Sequence, residues 1–240
     1  MNRSRRFGLL LAGMMALTAL DEIHAQDIPA PADRHLVVVE LFQSQGCSSC
    51  PPAEANLNAL AGRSDVLALS FAVTYWDDLG WKDTFASQAF TDRQWTYARR
   101  RGRGDVWTPQ VFVDGRRDLV GTDAAQLTDA IAEALHAQGA RPTLAWQGDT
   151  LHVAGGGHPN ADVWLVRFDP RTQQVPIGAG ENEGRVLPHR NIVRQLLRLG
   201  TWHGAAEDYV VPAASMAGLA TAAFIQDGPG GAIIGASIQH

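Results

Sequence analysis

The tightest constraint on this chain is Cys47-Ser48-Ser49-Cys50. These are its only two cysteines in 240 residues. That excludes a scaffold of several disulfides, and it excludes a four-cysteine zinc or iron–sulfur site within one chain. A bond between them would close only a very short segment, whereas the entropic gain from a disulfide grows with loop length. Stabilisation therefore explains the pair poorly, which leaves a redox centre or a cramped metal-binding pair.

The flanks say where the pair sits. Leu36-Val37-Val38-Val39-Glu40-Leu41-Phe42 is an almost unbroken apolar run, as expected of a strand buried on both faces. Gln43-Ser44-Gln45-Gly46 breaks it. Beyond the cysteines, Ala53, Leu57, Leu60 and Ala61 fall at helical spacing and Gly62 is a natural stop. Pro51 and Pro52 fit only the first helical turn. The cysteines are thus predicted at a strand-to-helix junction. There the helix dipole and free N–H groups favour a thiolate. Cys47 is expected to be the exposed nucleophile and Cys50 the more buried resolving thiol.

Alternation of strand and helix continues to residue 139. Val66 to Val73 reads as a second buried strand and Thr74 to Asp83 as a loop carrying Tyr75, Trp76 and Trp81. Phe85 to Arg101 reads as a helix stopped by Gly102 and Gly104. Pro109 to Val113 and Arg117 to Val120 flank Asp114-Gly115, a strong hairpin signal. Asp123 caps a last helix with Leu127, Ala130, Ile131, Ala134 and Leu135 on one face. Trp76 and Trp81 either line a substrate groove or pack the helix onto the sheet, whereas Trp95 reads as core. Asp77, Asp78 and Asp83 read as turn or capping residues, and Arg99, Arg100, Arg101 and Arg103 as a solvated helix end.

At the N-terminus, Arg3, Arg5 and Arg6 precede an uncharged stretch from Phe7 to Leu20, and Ala25 is a fair cleavage residue. This is the layout of a signal peptide over 1–25, followed by a polar lead-in over 26–34. The apolar run is short of the roughly 20 residues a membrane-spanning helix needs, so no stable span is expected after signal removal. Export implies a periplasmic or secreted protein in an oxidising compartment. The net charge of −5 argues against nucleic acid as a partner, since phosphate binding needs a basic surface.

After Gly139 the pattern becomes mainly β. Leu144 to Trp146 and Leu151 to Val153 flank Gly148-Asp149, and Val163 to Phe168 is a strong strand. Arg185 to Trp202 reads as extended, although Ile192, Val193, Leu196 and Leu197 also permit a helical turn or two. Tyr209 to Pro212, Ala220 to Gln226 and Ala232 to Ile238 read as strands. Short strands with Gly-rich turns predict a small β sandwich over 140–240. Gly178-Ala179-Gly180-Glu181-Asn182-Glu183-Gly184 lacks the dinucleotide fingerprint spacing and reads as a loop. Nothing in the sequence marks His189 as catalytic.

Strand, Cys-x-x-Cys helix, strand, helix, then Thr108-Pro109 before a hairpin resembles the thioredoxin superfamily over 35–139. In that superfamily the proline is cis and packs beside the cysteines, and the backbone of the residue before it pairs with the substrate chain. The resemblance carries these roles to Pro109 and Thr108. The chain departs from full thioredoxins in lacking their extra N-terminal strand and helix, and in its long Trp-rich connection. Several segments resemble more closely the secreted thioredoxin-like family catalogued as domain of unknown function 1223. They are Glu40 to Pro52, Tyr75-Trp76-Asp77, Leu79 to Asp83, Phe85-Ala86-Ser87, Thr108-Pro109-Gln110 and Gly180-Glu181-Asn182.

The expected architecture is a thioredoxin-like α/β domain over 35–139 followed by a mainly-β, sandwich-like domain over 140–240. The expected function is an exported thiol–disulfide oxidoreductase acting on protein or peptide thiols and disulfides through Cys47 and Cys50, with an unidentified redox partner. Thr108, Pro109, Trp76 and Trp81 are the expected substrate-binding residues, and no cofactor is expected. The alternatives are a binding module with an idle disulfide and a copper-handling protein. A metal site wants further ligands, and the eight histidines are scattered with no i, i+4 pair beside the cysteines.

Overall fold

The computed structural model describes residues 35–157 and 160–239, together with Met1. The predicted signal peptide, its cleavage site and the lead-in to residue 34 lie outside the described residues. No described helix is long and apolar enough to cross a membrane.

The elements run in order as β1 (Val37–Gln43), α1 (Cys50–Leu60), β2 (Val66–Ala72), α2 (Gln88–Arg100), β3 (Gln110–Val113), β4 (Arg117–Leu119) and α3 (Ala124–His136). The strands β5 (Thr143–Gln147), β6 (Thr150–Ala154), β7 (Ala161–Asp169), β8 (Gln173–Pro176), β9 (Val186–His189) and β10 (Ile192–Trp202) follow. The chain closes with β11 (Glu207–Val210), β12 (Ala220–Gln226) and β13 (Ile233–Ile238). Asp123 caps α3 as its side chain predicts, accepting from the N–H groups of Ala125 and Gln126. The hairpins at Asp114-Gly115 and Gly148-Asp149 both form, and Arg185 to Trp202 is extended rather than helical.

One eight-stranded mixed sheet organises these elements, in the order β13-β12-β7-β10-β2-β1-β3-β4. β1 and β2 are parallel in register from Val37↔Val66 to Gln43↔Ala72, and every residue of both is buried. Alternation sorts β1 by face. Val38 and Phe42 join Leu69, Phe71, Phe112 and the α2 residues Phe90 and Tyr97 in one core. Val37, Val39 and Leu41 join Leu57 of α1 and Leu127 and Ile131 of α3 in another.

The C-terminal segment differs from the expected separate sandwich. Its β5, β6 and β11 do form a second small sheet, and Leu151, Val153 and Tyr209 of that sheet pack on Val163, Leu165 and Ile225 of β7 and β12. The lower sheet of this two-layer unit, however, is the continuation of the N-terminal one. Ser70 of β2 donates to the carbonyl of Asn191 at 3.0 Å, and the Asn191 side chain donates to the carbonyl of Ala68 at 3.0 Å. A buried strand such as β2 needs hydrogen-bonding partners on both edges, and on its second edge β10 pairs with it at Ser70, opposite Ile192.

The helix α2 lies across the seam. Its Arg93 is buried and donates to Glu40 of β1 at 2.6 Å and to Gln226 of β12 at 3.2 Å. The guanidinium sits among the rings of Phe71, Tyr97, Trp164 and Phe224, 5.0 to 5.9 Å from their centroids. Residues from both halves therefore share one core, and the described residues from 35 onward form one compact unit.

Candidate functional site

Three connections converge at the carboxyl end of the parallel pair β1–β2. One is the Cys-x-x-Cys turn after β1. The second is the loop after β2, tied back where the N–H of Val73 donates to the carbonyl of Gln43 at 2.9 Å. The third is Thr108-Pro109, directly before Gln110, which pairs with Phe42 at the same end of the sheet. Ligand sites in open α/β sheets favour this edge.

Cys47 and Cys50 form a disulfide with Cα atoms 5.4 Å apart. The turn is closed by the N–H of Cys47 donating to Ser44 at 3.1 Å and the N–H of Cys50 donating to Cys47 at 3.2 Å. Two expectations change here. The helix starts at Cys50, not at Cys47. Its first-turn N–H groups are not free, because that of Cys50 is spent on Cys47, while Pro51 and Pro52 have none. What remains for a Cys47 thiolate is the helix dipole, with no acidic side chain in the first turn to offset it, and the Ser49 hydroxyl 3.3 Å from the Cys47 sulfur.

The second change is exposure. Cys47 is 0% exposed and Cys50 1%, so Cys47 is not the open nucleophile that its place at the turn suggested. The loop between β8 and β9 is bonded to its turn. Asn182, wholly buried, donates to the carbonyls of Gln45 and Cys47 at 2.9 Å each. Its own side-chain oxygen accepts from Arg185 at 2.6 Å. Glu181 accepts from the Ser48 N–H at 3.0 Å, and the Ser48 hydroxyl, followed by that N–H, lowers its carboxyl pKa. The loop closes on itself through Gly184 N–H to Ile177 O at 2.9 Å and Glu183 N–H to Gly180 O at 3.1 Å.

The two tryptophans whose role the sequence leaves open both reach this region. Trp76 Nε1 donates to Thr108 Oγ1 at 2.7 Å, and the Trp76 ring lies against Gly46. Trp81 Nε1 donates to Gln45 Oε1 at 2.9 Å. Its ring packs so closely on Gly178 that a Cβ there would lie 3.1 Å from it. Both are half-buried, Trp81 bonded to the turn that holds the disulfide and Trp76 to Thr108 at the same sheet end. Thr108-Pro109 is a cis peptide, as the resemblance implies, and Pro109 is buried. Trp95 is only half-buried.

Asp83 is a capping residue, as expected, accepting from the N–H groups of Gln45 and Phe85 at 2.8 Å each. Burial raises its pKa. The basic run is solvated at Arg99, Arg100 and Arg103, as expected, and only Arg101 is half-buried. Arg101 lies over the Phe112 ring at 4.8 Å and donates to Gly115 at 2.7 Å, and Arg103 pairs with Asp118.

Sequence reasoning missed two residues outright. Glu54 sits one turn after Cys50 on the buried face of α1, and its carboxylate meets Nδ1 of His189 from β9. Both are buried, at 3% and 0% exposure, and burial pushes the Glu54 pKa up against the opposing pull of His189. The available signal was an acid at i+4 from a cysteine on a face otherwise made of Ala53, Leu57 and Leu60. Its partner lies 135 residues away.

This is a mixed α/β protein with a buried Cys-x-x-Cys disulfide at a strand-to-helix junction, one large eight-stranded sheet and three α-helices among the described residues. The chain belongs to the family described as protein of unknown function (DUF1223), which matches residues 38–226. The X-ray crystal structure of protein AGR_C_4864 from Agrobacterium tumefaciens is similar, with 32% identity and a TM-score of 0.71 over 86% of this chain and 95% of that one. HBP35 of Porphyromonas gingivalis has a TM-score of 0.56 at 14% identity, over 86% of this chain and 75% of that one, a likeness of fold alone. No curated protein matches the chain.

Proposed function

We propose that the protein is an exported thiol–disulfide oxidoreductase on a thioredoxin-like framework, acting on protein or peptide thiols and disulfides. The observation that carries this reading is the Cys47–Cys50 bond at the start of α1, at the same sheet end as Thr108-Pro109. A bond closing so short a segment does little for stability, and a helix start favours the thiolate that exchange requires.

In the oxidising direction a substrate thiolate attacks the Cys47 sulfur. The S–S bond breaks and Cys50 leaves with the electron pair as a thiolate. A second substrate thiolate then attacks the substrate sulfur of the mixed disulfide and releases Cys47. The substrate gains a disulfide, and the pair gains two electrons and two protons. The reverse sequence reduces a substrate. Thr108 and Pro109 border the substrate chain, and Trp76 and Trp81 flank its path.

Incubation with defined ratios of reduced and oxidised glutathione, followed by thiol trapping, tests this. The expected result is a reversible two-electron equilibrium that Cys47→Ser and Cys50→Ser each abolish while the protein stays folded. Failure of the unmodified protein to exchange with either glutathione or a dithiol peptide overturns the reading. The complete burial of Cys47 favours a second reading, a binding module with an idle disulfide, and that negative result is what it expects.

A further inference from the structure

The Cys-x-x-Cys turn presents little of itself to solvent. Cys47 is 0% and Cys50 1% exposed, whereas Ser48 and Ser49 between them are exposed. Those two serines are the surface of the turn that an incoming thiol meets. One charge is fixed on it. Glu181, itself exposed, accepts from the Ser48 N–H at 3.0 Å. The Ser48 nitrogen is covalently joined to Cys47, so the carboxylate is held one residue from the cysteine that exchange attacks. Resting on the oxidoreductase reading above, we propose that Glu181 selects substrate thiols by charge. The site favours cationic and neutral dithiol peptides and disfavours anionic ones.

The segment that carries this carboxylate is anchored on both sides. Asn182, next in the chain, is wholly buried and donates to the carbonyls of Gln45 and Cys47 at 2.9 Å each. Gly180, before it, accepts from the Glu183 N–H at 3.1 Å, and a Cβ added there would lie 3.3 Å from Cβ of Trp81. A charge held in place needs no ordering when a substrate arrives, so it discriminates better than one on a free side chain. The Ser48 hydroxyl, followed by its N–H, also keeps the Glu181 carboxyl below its ordinary pKa, so the group is ionised at the pH where thiols react.

Reactivity alone does not explain a carboxylate here. A negative charge beside a thiolate opposes its formation, and a neutral amide oxygen would accept from the Ser48 N–H as well. A charge kept against the interest of the nucleophile points to discrimination among substrates. The loops on either side have the same sign. Asp77, Asp78 and Glu183 stand against Lys82 and Arg185, and Arg185 donates to Asn182 at 2.6 Å. Arg103 lies over Trp107 at 5.3 Å and is paired with Asp118. Among the described residues, Glu181 is the charged side chain bonded to the Cys47–Cys50 turn itself.

In the exchange step a substrate thiolate attacks the Cys47 sulfur. The substrate–Cys47 bond forms, the Cys47–Cys50 bond breaks, and Cys50 leaves with the electron pair and takes a proton from solvent. Glu181 makes and breaks no bond. It acts on the encounter, where a like charge on the substrate slows association and an opposite charge speeds it.

The test uses oxidised full-length protein and three reduced dithiol peptides of one length, their cysteines flanked by Lys, Ser or Glu. Reduction of Cys47–Cys50 is followed by thiol trapping. Rates are expressed per thiolate and divided by the rate with dithiothreitol, a neutral dithiol, on the same protein. At low ionic strength the Lys peptide is expected to react about tenfold faster than the Glu peptide, and the ratio to fall toward one in about 0.5 M salt. Glu181→Gln keeps an acceptor for Ser48 and removes the charge, and is expected to lower the ratio about threefold or more. A fall of less than about twofold, or equal rates for the three peptides on the unmodified protein, overturns the proposal and leaves the oxidoreductase reading intact. Equal acceleration of all three peptides in Glu181→Gln is the mark of a loosened loop and overturns it too. No reduction of the unmodified protein by any dithiol overturns both.

Discussion

The side chain of Asn182 donates to the main-chain carbonyl of Cys47 at 2.9 Å across 135 residues of sequence. With its second bond to Gln45, it makes the β8–β9 loop a clasp on the Cys-x-x-Cys turn. Cys47 is wholly buried in the turn that this clasp holds, and the expected consequence is that loosening the clasp speeds the approach of a thiol to the disulfide.

Asn182→Ala removes two bonds to otherwise buried carbonyls. The expected loss of stability is about 1–3 kcal/mol, and reduction by dithiothreitol is expected to accelerate at least severalfold. Thiol trapping over time measures the rate, and denaturant unfolding measures the loss. An unchanged reduction rate would show that the loop does not limit access.

Glu54 also gives the fold a pH dependence of known sign. Its pKa is raised in the folded protein by burial. Its contribution is therefore complete below the ordinary carboxylate range and is lost as pH rises through the elevated value. Glu54→Gln keeps a neutral acceptor for His189 and removes that titration. Urea unfolding of the oxidised forms from pH 4 to 8 is expected to show the unmodified protein losing stability relative to the variant as pH rises.

Asp169 has the opposite sign. Arg171 holds its carboxyl down to about 2, helped by the Arg171 and Gln173 hydrogen bonds. Its contribution is present above the ordinary value and is lost as pH falls toward about 2. Asp169→Asn is expected to flatten the acid limb of a thermal-stability profile between pH 4 and 2.

Arg93→Met leaves Glu40 buried without its cation, at an expected cost of about 3–5 kcal/mol. Adding Glu40→Gln is expected to recover much of that loss. Because Arg93 touches β1 and β12 alike, amide exchange at β2 and at β12 should be accelerated together. Acceleration confined to one half would show that the seam is not cooperative.

Gly115→Ala tests the hairpin beneath β13. Gly115 has φ +60°, and an added Cβ would lie 2.4 Å from the carbonyl oxygen of Gly231. The expected cost is about 1–3 kcal/mol, read as a lowered urea midpoint.

The local elements were legible because short-range physics specifies them. The apolar run of β1, the Pro-Pro start of α1, the Asp123 cap and the Asp114-Gly115 turn each carry their signal within a few residues. The placement of the cysteines between a buried strand and a helix was equally local. What was not legible depended on partners distant in the chain. Alternation shows which face of a strand is buried, but not which strand lies beside it, so nothing within β2 announces β10 as its neighbour. The 140–240 segment therefore read as a separate sandwich, whereas its main sheet extends the one begun by β1 and β2.

The site divides in the same way. The cysteine pair and its place after a buried strand are written in the local sequence, the part of Pro109 follows from resemblance, and the two tryptophans are left between groove and core. The burial of Cys47 and the bond from Asn182 to its carbonyl appear only in the folded chain, because Asn182 lies in a loop beyond β8. Tertiary structure alone joined Glu54 to His189, because a helix position can place an acid beneath a cysteine but cannot bring in the strand that partners it. Burial and electrostatic pairing act through space, and only the closed sheet brings these residues within hydrogen-bonding distance.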